Sequence, residues 1–250
     1  MASEKTIVLI TGANAGIGFE TALLFATSSP SYHVIIGSRS TKKGQAALES
    51  IQSQNPSGSL SVVQLDVTSE ESLSSAYNSV SEEFGRLDVL INNAGIVSFE
   101  KTLRAELRAT FETNTFGAAL TTEKFLPLLE KSKSARLLYI TSGLGSMTLC
   151  SDPQHWTYGV DALTYRMSKA ALNMLVVCQH KEFQKKGIKV WGICPGYVIT
   201  DLTGEDDREN RAKQGADSPA TSAETILTVV EGKRDQDVGK VVHKDGIYGW

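Results

Sequence analysis

The sequence predicts an α/β fold built on a doubly wound parallel β-sheet with helices on both faces. Three observations carry that prediction. Short apolar, β-branched runs recur six times, and stretches long enough to be amphipathic helices separate them. The runs are apolar on both sides, as strands covered on both faces must be. Strand starts recur at about the thirty-residue interval of a right-handed βαβ crossover.

The elements follow in order. Thr6 to Ile10 reads as the first strand, and the glycine-containing turn after it opens a helix over Gly18 to Ser28. His33 to Ile36 is the second strand, and Thr41 to Gln54 the second helix. Asn55-Pro56-Ser57-Gly58 ends that helix in a turn. Leu60 to Leu65, Leu87 to Ile91, Ala135 to Ile140 and Ile188 to Cys194 supply the remaining strands. Between them, Glu70 to Phe84 and Thr164 to Lys186 read as helices, and Asn114 lies in a further helical stretch. No linker or internal repeat divides the chain, so residues 1–250 are expected to form one domain. The polar stretch Gly204 to Asp217 is the least core-like segment, and two readings stand: a solvated loop or helix face, or a mobile lid over about residues 200–219.

Length and composition narrow the function. Two hundred and fifty residues bury enough surface to fold without a disulfide or metal staple. Lys plus Arg total 25 against 28 for Asp plus Glu, a net charge of −3, which gives no reason to expect nucleic acid or an anionic membrane as partner. Cys150, Cys178 and Cys194 are odd in number and unclustered, which argues against a disulfide framework or zinc site and suits a reducing compartment. The apolar run near the N-terminus is too short for a signal peptide, and no stretch is long enough to span a membrane. The expectation is a soluble, cytoplasmic protein without metal.

Thr11-Gly12-Ala13-Asn14-Ala15-Gly16-Ile17-Gly18 joins the first strand to its helix. Glycines there permit positive φ and close backbone approach to a diphosphate, and the helix N-terminus favours an anion. The alternative is a tight strand-to-helix turn. The position after the first strand favours the dinucleotide reading of a Rossmann-type sheet. Twenty residues beyond Gly18, where NAD sites place an acid on the adenosine ribose, stand Ser38 and Arg39. A guanidinium there can pair with a 2′-phosphate, so the expected cofactor is NADP(H). Arg39 could instead be a solvated cation at a helix start; Lys42 and Lys43 could add charge, with solvated side chains the better reading for both. Asp66, followed by Val67, is either an acceptor for the adenine amino group or a turn acid. Asn92-Asn93-Ala94-Gly95 ends the fourth strand, where two amides can hold loop backbone and ribose, or serve the turn alone.

Tyr165 and Lys169 are four residues apart on a predicted helix, a separation of about 40° around its axis. The free phenol titrates near pKa ~10, and a neighbouring ammonium is expected to lower that value. Ser142 ends the fifth strand, and Pro195-Gly196-Tyr197-Val198-Ile199-Thr200 follows the sixth.

In this order and company the motifs resemble the short-chain dehydrogenase/reductase family, over nearly the whole chain from Thr6 to about Val242. Val241 to Gly246 and Trp250 resemble its carbonyl-reductase-like members. The resemblance implies an oxidoreductase that reduces a ketone or aldehyde with NADPH, reversibly. It implies that Tyr165 donates the proton, Lys169 binds the nicotinamide ribose and lowers the tyrosine pKa, Ser142 holds the substrate oxygen, and Asn114 holds a water. Val198 and Thr200 would contact the nicotinamide carboxamide. Two other functions stay open: an NADPH-binding sensor or scaffold without significant turnover, and a biosynthetic reductase whose bound cofactor assists another reaction.

The chain departs from compact relatives between Ser142 and Tyr165, where twenty-two residues intervene. This insertion, about residues 144–164, is expected to shape the substrate pocket. Trp156 and Tyr158 either wall an apolar substrate or pack under the loop. Asp152 and His155 lack a third ligand and read as loop polarity. Insertions here can obstruct the family's helix-to-helix contact, so homo-oligomerisation is left open, with a small carbonyl or alcohol as the expected partner.

Overall fold

The computed structural model describes residues 5–250. Its centre is an eight-stranded sheet: β1 (Thr6–Thr11), β2 (Tyr32–Ser38), β3 (Ser59–Gln64), β4 (Val89–Asn92), β5 (Arg136–Ile140), β6 (Lys189–Ile193), β7 (Val241–His243) and β8 (Gly246–Tyr248). The order across the sheet is β3-β2-β1-β4-β5-β6-β7-β8. All neighbours run parallel except β7 and β8, which form an antiparallel pair.

The strands read as continuous apolar runs because side chains alternate between two covered faces. Ile7 and Leu9 of β1, Ile35 of β2, Leu90 of β4, Leu137 and Tyr139 of β5 and Val190 of β6 point to one core. On that face lie α3 (Glu70–Phe84), α5 (Ala118–Leu129) and α7 (Leu163–Phe183), contributing Leu73, Phe125 and Leu172 among others. The intervening residues Val8, Ile10, Val34, Ile36, Leu138 and Trp191 enter the opposite core. There α1 (Gly16–Ser28), α2 (Thr41–Gln52) and α9 (Pro219–Val230) supply Phe25, Ile51 and Ile226. Each such side chain contributes roughly 1.5–3 kcal/mol by leaving water. One sheet thus serves both cores, and the chain forms one Rossmann-like α/β domain.

Local signals set the helix ends. Ser40 and Ser69 cap α2 and α3 through their hydroxyls, and Gly85 ends α3 at φ 70°. Asn55 takes φ 52° in the turn the sequence places there.

β7 and β8 were not anticipated as strands, since three residues each are too few for a periodic signal. In the polar stretch after β6, where the sequence allows a loop or a helix face, the chain forms a short turn, Glu205–Asp207, and a helix, α8 (Arg208–Lys213). The insertion carries α6 (Met147–Ser151) and a tight turn at Trp156–Gly159. The remaining helix, α4 (Leu103–Phe111), runs into a wider π-helical turn, Glu112–Gly117, before α5. No helix among the described residues is long and apolar enough to cross a membrane.

Candidate active site

The strand order reverses between β1 and β4, and in such sheets ligands bind beyond the carboxyl ends of the strands at that point. A cavity of about 560 Å³ lies there. Its walls include Gly12, Asn14, Gly16 and Ile17 from the first turn, Ser38 and Arg39 after β2, and Asp66 and Val67 after β3. Asn93, Ala94 and Gly95 after β4, Ser142 after β5, and Pro195, Gly196, Val198 and Thr200 after β6 complete the ring with Tyr165 and Lys169.

The first turn fits a diphosphate on structural grounds. Gly12 and Gly16 sit at φ 65° and 56°, a region that favours glycine. Helix α1 has no side-chain cap at Ala15 and no acid in its first turn, whereas α2, α3 and α4 are capped by Ser40, Ser69 and Thr102. Its leading N–H groups and positive end are therefore left for an anion. A Cβ on Gly95 would stand 3.5 Å from Lys169 Nζ and 3.4 Å from Asn114 Oδ1, so glycine keeps the space before the lysine open.

Two residues expected at the cofactor do not reach the cavity. Gly18 is a packing residue: a Cβ there would meet Asn93 Nδ2 at 2.5 Å and Gly12 O at 2.8 Å. Asn92 is 3% exposed and turns the other way, donating through Nδ2 to Thr122 Oγ1 at 2.9 Å. Its Oδ1 is buried without a partner. Neighbouring positions on a strand point to opposite faces, so Asn92 and Asn93 cannot share a role. Asn93 faces the glycine turn and donates through Nδ2 to Thr11 O at 2.8 Å and Gly12 O at 3.2 Å. Thr11 was not singled out from the sequence. Its Oγ1 accepts the N–H groups of Asn93 and Ala94, each at 2.9 Å, and fastens the two loops together.

Around the expected adenosine end, the Ser38 hydroxyl donates to Asn14 Oδ1 at 3.1 Å and Ser40 O at 2.9 Å, which orders the strand end. Arg39 and Lys43 are exposed and line the cavity, so Lys43 is not merely solvated; Lys42 lies off it. Asp66 serves its turn and also faces the cavity. Oδ1 accepts from Thr68 N at 3.0 Å and Thr68 Oγ1 at 2.7 Å as a turn acid, while the residue also lines the cavity.

At the other end, α7 carries Tyr165 and Lys169, which are 9% and 3% exposed. Lys169 donates through Nζ to Ile140 O at 2.7 Å. Ser142 Oγ accepts the Leu144 N–H at 3.1 Å. Asn114 does not line the cavity. It sits behind the wall in the π-helical turn, where Oδ1 accepts from Ile96 N at 2.8 Å and Nδ2 donates to Ile96 O at 2.9 Å and Ser168 Oγ at 3.0 Å. It thereby ties the loop after β4 to α7.

The electrostatics differ from the expected lowering of the tyrosine. Burial pushes the Tyr165 phenol above its ordinary value, the Cys194 sulfur adds to the rise, and the Ser142 hydrogen bond and Arg211 guanidinium act the other way. Burial pulls Lys169 down to about 8, with Cys194 opposing. Taking a charge out of water outweighs the partners on hand, for phenolate and ammonium alike. Cys194 Sγ accepts the Gly143 N–H at 3.0 Å, and burial raises its thiol.

Trp156 of the insertion is 59% exposed and meets the Tyr197 ring at 6.5 Å, bringing the insertion to the loop after β6. Asp152 and His155 serve local turns, to Gln154 N at 2.9 Å and Thr157 Oγ1 at 2.8 Å. Among the described residues, no group of three or more His, Cys, Asp or Glu is placed to hold a metal.

The family model described as short chain dehydrogenase matches residues 6–211. The chain is 36% identical to the short-chain dehydrogenase/reductase tropE of Talaromyces stipitatus, over 98% of this chain and 97% of that protein. It is also 36% identical to the short-chain dehydrogenase/reductase eupG of a Phoma species, over 100% and 99% of the two chains. Among solved structures, an NADPH-bound carbonyl reductase from chicken fatty liver superposes with a TM-score of 0.81 at 33% identity, covering 99% of this chain and 100% of that one.

Proposed function

This chain belongs to the short-chain dehydrogenase family of oxidoreductases, and from that premise we propose that it reduces a ketone or aldehyde to an alcohol with NADPH, and in reverse oxidises the alcohol with NADP⁺ as hydride acceptor. The observation that carries the proposal is one cavity lined at one end by the uncapped α1 and Arg39, and at the other by Ser142, Tyr165 and Lys169.

The residues divide the work. The first-turn N–H groups of α1 take the diphosphate, and Arg39 with Lys43 take the adenosine 2′-phosphate. Asp66 accepts the adenine amino group through the oxygen its turn leaves over. Lys169, Val198 and Thr200 orient the nicotinamide half. When bound, the cofactor supplies the hydride; the protein supplies geometry and electrostatics.

Tyr165 then holds the proton for the carbonyl oxygen. A phenol is protonated at neutral pH, as a proton donor must be; burial makes this one a weaker acid, and the Ser142 hydrogen bond and the Arg211 guanidinium oppose that rise. Ser142 donates to the same oxygen as negative charge develops there. Lys169, an ammonium that burial pulls down to about 8, passes a proton from Nζ when Tyr165 must be refilled. Asn114 holds the backbone around that lysine. The NADPH-bound chicken reductase supports the choice of cofactor, and unpaired Cys150, Cys178 and Cys194 suit a cytoplasmic setting.

The test is consumption of NADPH against NADH with a panel of ketones, aldehydes and quinones, for wild type beside Tyr165→Phe. NADPH-dependent turnover that disappears in the variant supports the proposal. Equal turnover in both proteins overturns the role of Tyr165, and no turnover in wild type overturns the reductase.

A further inference from the structure

Arg211 lies on α8 within a run of charged residues, yet it is 8% exposed and lines the same cavity as Tyr165. Burying a guanidinium is costly unless its donors are met. Here Nη1 donates to Val198 O at 2.9 Å, Nη2 to Thr203 Oγ1 at 2.9 Å, and Nε to Thr203 Oγ1 at 3.0 Å and the Asp207 carboxylate at 3.1 Å. The guanidinium also lies 5.3 Å from the centroid of the Tyr197 ring.

The segment is closed at its ends, where Asp217 N donates to Tyr197 O at 2.8 Å, Ile199 N to Asp217 O at 3.0 Å and Tyr197 Oη to Gln214 Oε1 at 2.8 Å, and Arg211 fastens its middle. α8 is six residues long and Arg211 is its one buried side chain. The neighbouring pair of Arg208 Nη2 with Asp201 Oδ2, 2.6 Å long, is exposed, and exposed pairs contribute little. The loop that Arg211 grips carries Val198 and Thr200, both part of the cavity wall.

Resting on the reductase reading, we propose that Arg211 is a positioning residue of the site: it latches α8 onto the Val198–Thr203 loop and gives the cavity of Tyr165 a fixed positive charge. The charged and titratable groups near Tyr165 come from three elements. Lys169 comes from α7, the Cys194 thiol from the end of β6, and Arg211 from α8; Asp207 is the carboxylate set against Arg211. The guanidinium favours the phenolate, and Asp207 mutes it.

The experiment uses the full chain with Arg211→Lys, Arg211→Met and Asp207→Asn. Two readouts are taken: amide hydrogen exchange across residues 198–213, and the pH profile of alcohol oxidation with NADP⁺, the direction that needs the phenolate. Arg211→Met should speed exchange of that segment about tenfold and move the profile to higher pH by about half a unit. Arg211→Lys, which keeps the charge but not the fork, should speed exchange and leave the profile at its wild-type position. Asp207→Asn should move the profile to lower pH. Wild-type exchange in Arg211→Met overturns the latch, and equal profiles for the Lys and Met variants overturn the electrostatic role. If wild type turns over no carbonyl or alcohol, the reductase reading fails, and the exchange data still decide the latch.

Discussion

The Lys169 ammonium lies 5.5 Å from the centroid of the Tyr165 ring and over its face, while its Nζ donates to the Ile140 carbonyl. The two side chains share one helical face, and both are buried. A buried ammonium with one neutral acceptor is expensive, which is why burial pulls Lys169 down to about 8 from 10.5.

Lys169→Met should therefore raise the melting temperature near neutral pH while removing turnover. The sign follows from proton counts. Between about 8 and 10.5 the unfolded lysine holds a proton that the folded one has lost, so wild-type stability rises with pH across that window. Below the window the folded protein bears the full cost of the buried charge. The advantage of the methionine variant should thus be largest at neutral pH and shrink as pH rises through the window. Thermal melts of both proteins at several pH values check this, and an advantage that grows with pH would contradict it.

Tyr165→Phe should lower kcat by about 10²- to 10⁴-fold, the usual worth of a placed proton donor. The phenylalanine ring keeps the face on which Lys169 sits, so NADPH affinity should stay near wild type. Fluorescence titration with NADPH separates the two effects. A large loss of cofactor affinity would mean that the variant disturbs the cavity rather than the chemistry.

Ser142→Ala should lower kcat by about 10²-fold through loss of a hydrogen bond to the reacting oxygen. It also removes the acceptor of the Leu144 N–H. Ser142→Thr keeps a hydroxyl and should recover part of the rate. Steady-state kinetics with one ketone test both variants, and a threonine variant no better than alanine would count against the hydroxyl.

Arg39→Asp should lower the preference for NADPH over NADH by about ten- to hundredfold, the worth of a charge-assisted hydrogen bond plus the new repulsion. Lys43→Ala should cause a smaller loss in the same direction, since Lys43 also lines the cavity. Ratios of kcat/KM for the two cofactors measure this. An unchanged ratio in both variants would leave Arg39 as surface charge.

Gly18→Ala should destabilise the fold by about 2 kcal/mol, because the added carbon would stand 2.5 Å from Asn93 Nδ2 and 2.8 Å from Gly12 O. Denaturant unfolding reads the loss. A wild-type midpoint would show that α1 has room to move away from the loop after β4.

The order of residues determined, by itself, everything that depends on local geometry or period. Apolar runs such as Thr6 to Ile10 became strands because both faces are covered, and Tyr165 and Lys169 share a face because four residues nearly complete a helical turn. Glycines at positions 12 and 16 marked the turn between β1 and α1 because the chain there needs positive φ.

Only the tertiary structure decided which residues meet. It separated Asn92 from Asn93, made Gly18 a packing residue, and set Asn114 behind the cavity wall. It turned Arg211 inward from a run of charges that otherwise face water, and it reversed the expected shift of Tyr165. It also joined β7 to β8 at the sheet edge. The reason is common to all of these. Contact, burial and charge at a point are set by residues far apart in the chain, and desolvation depends on everything packed around a group rather than on its neighbours in sequence.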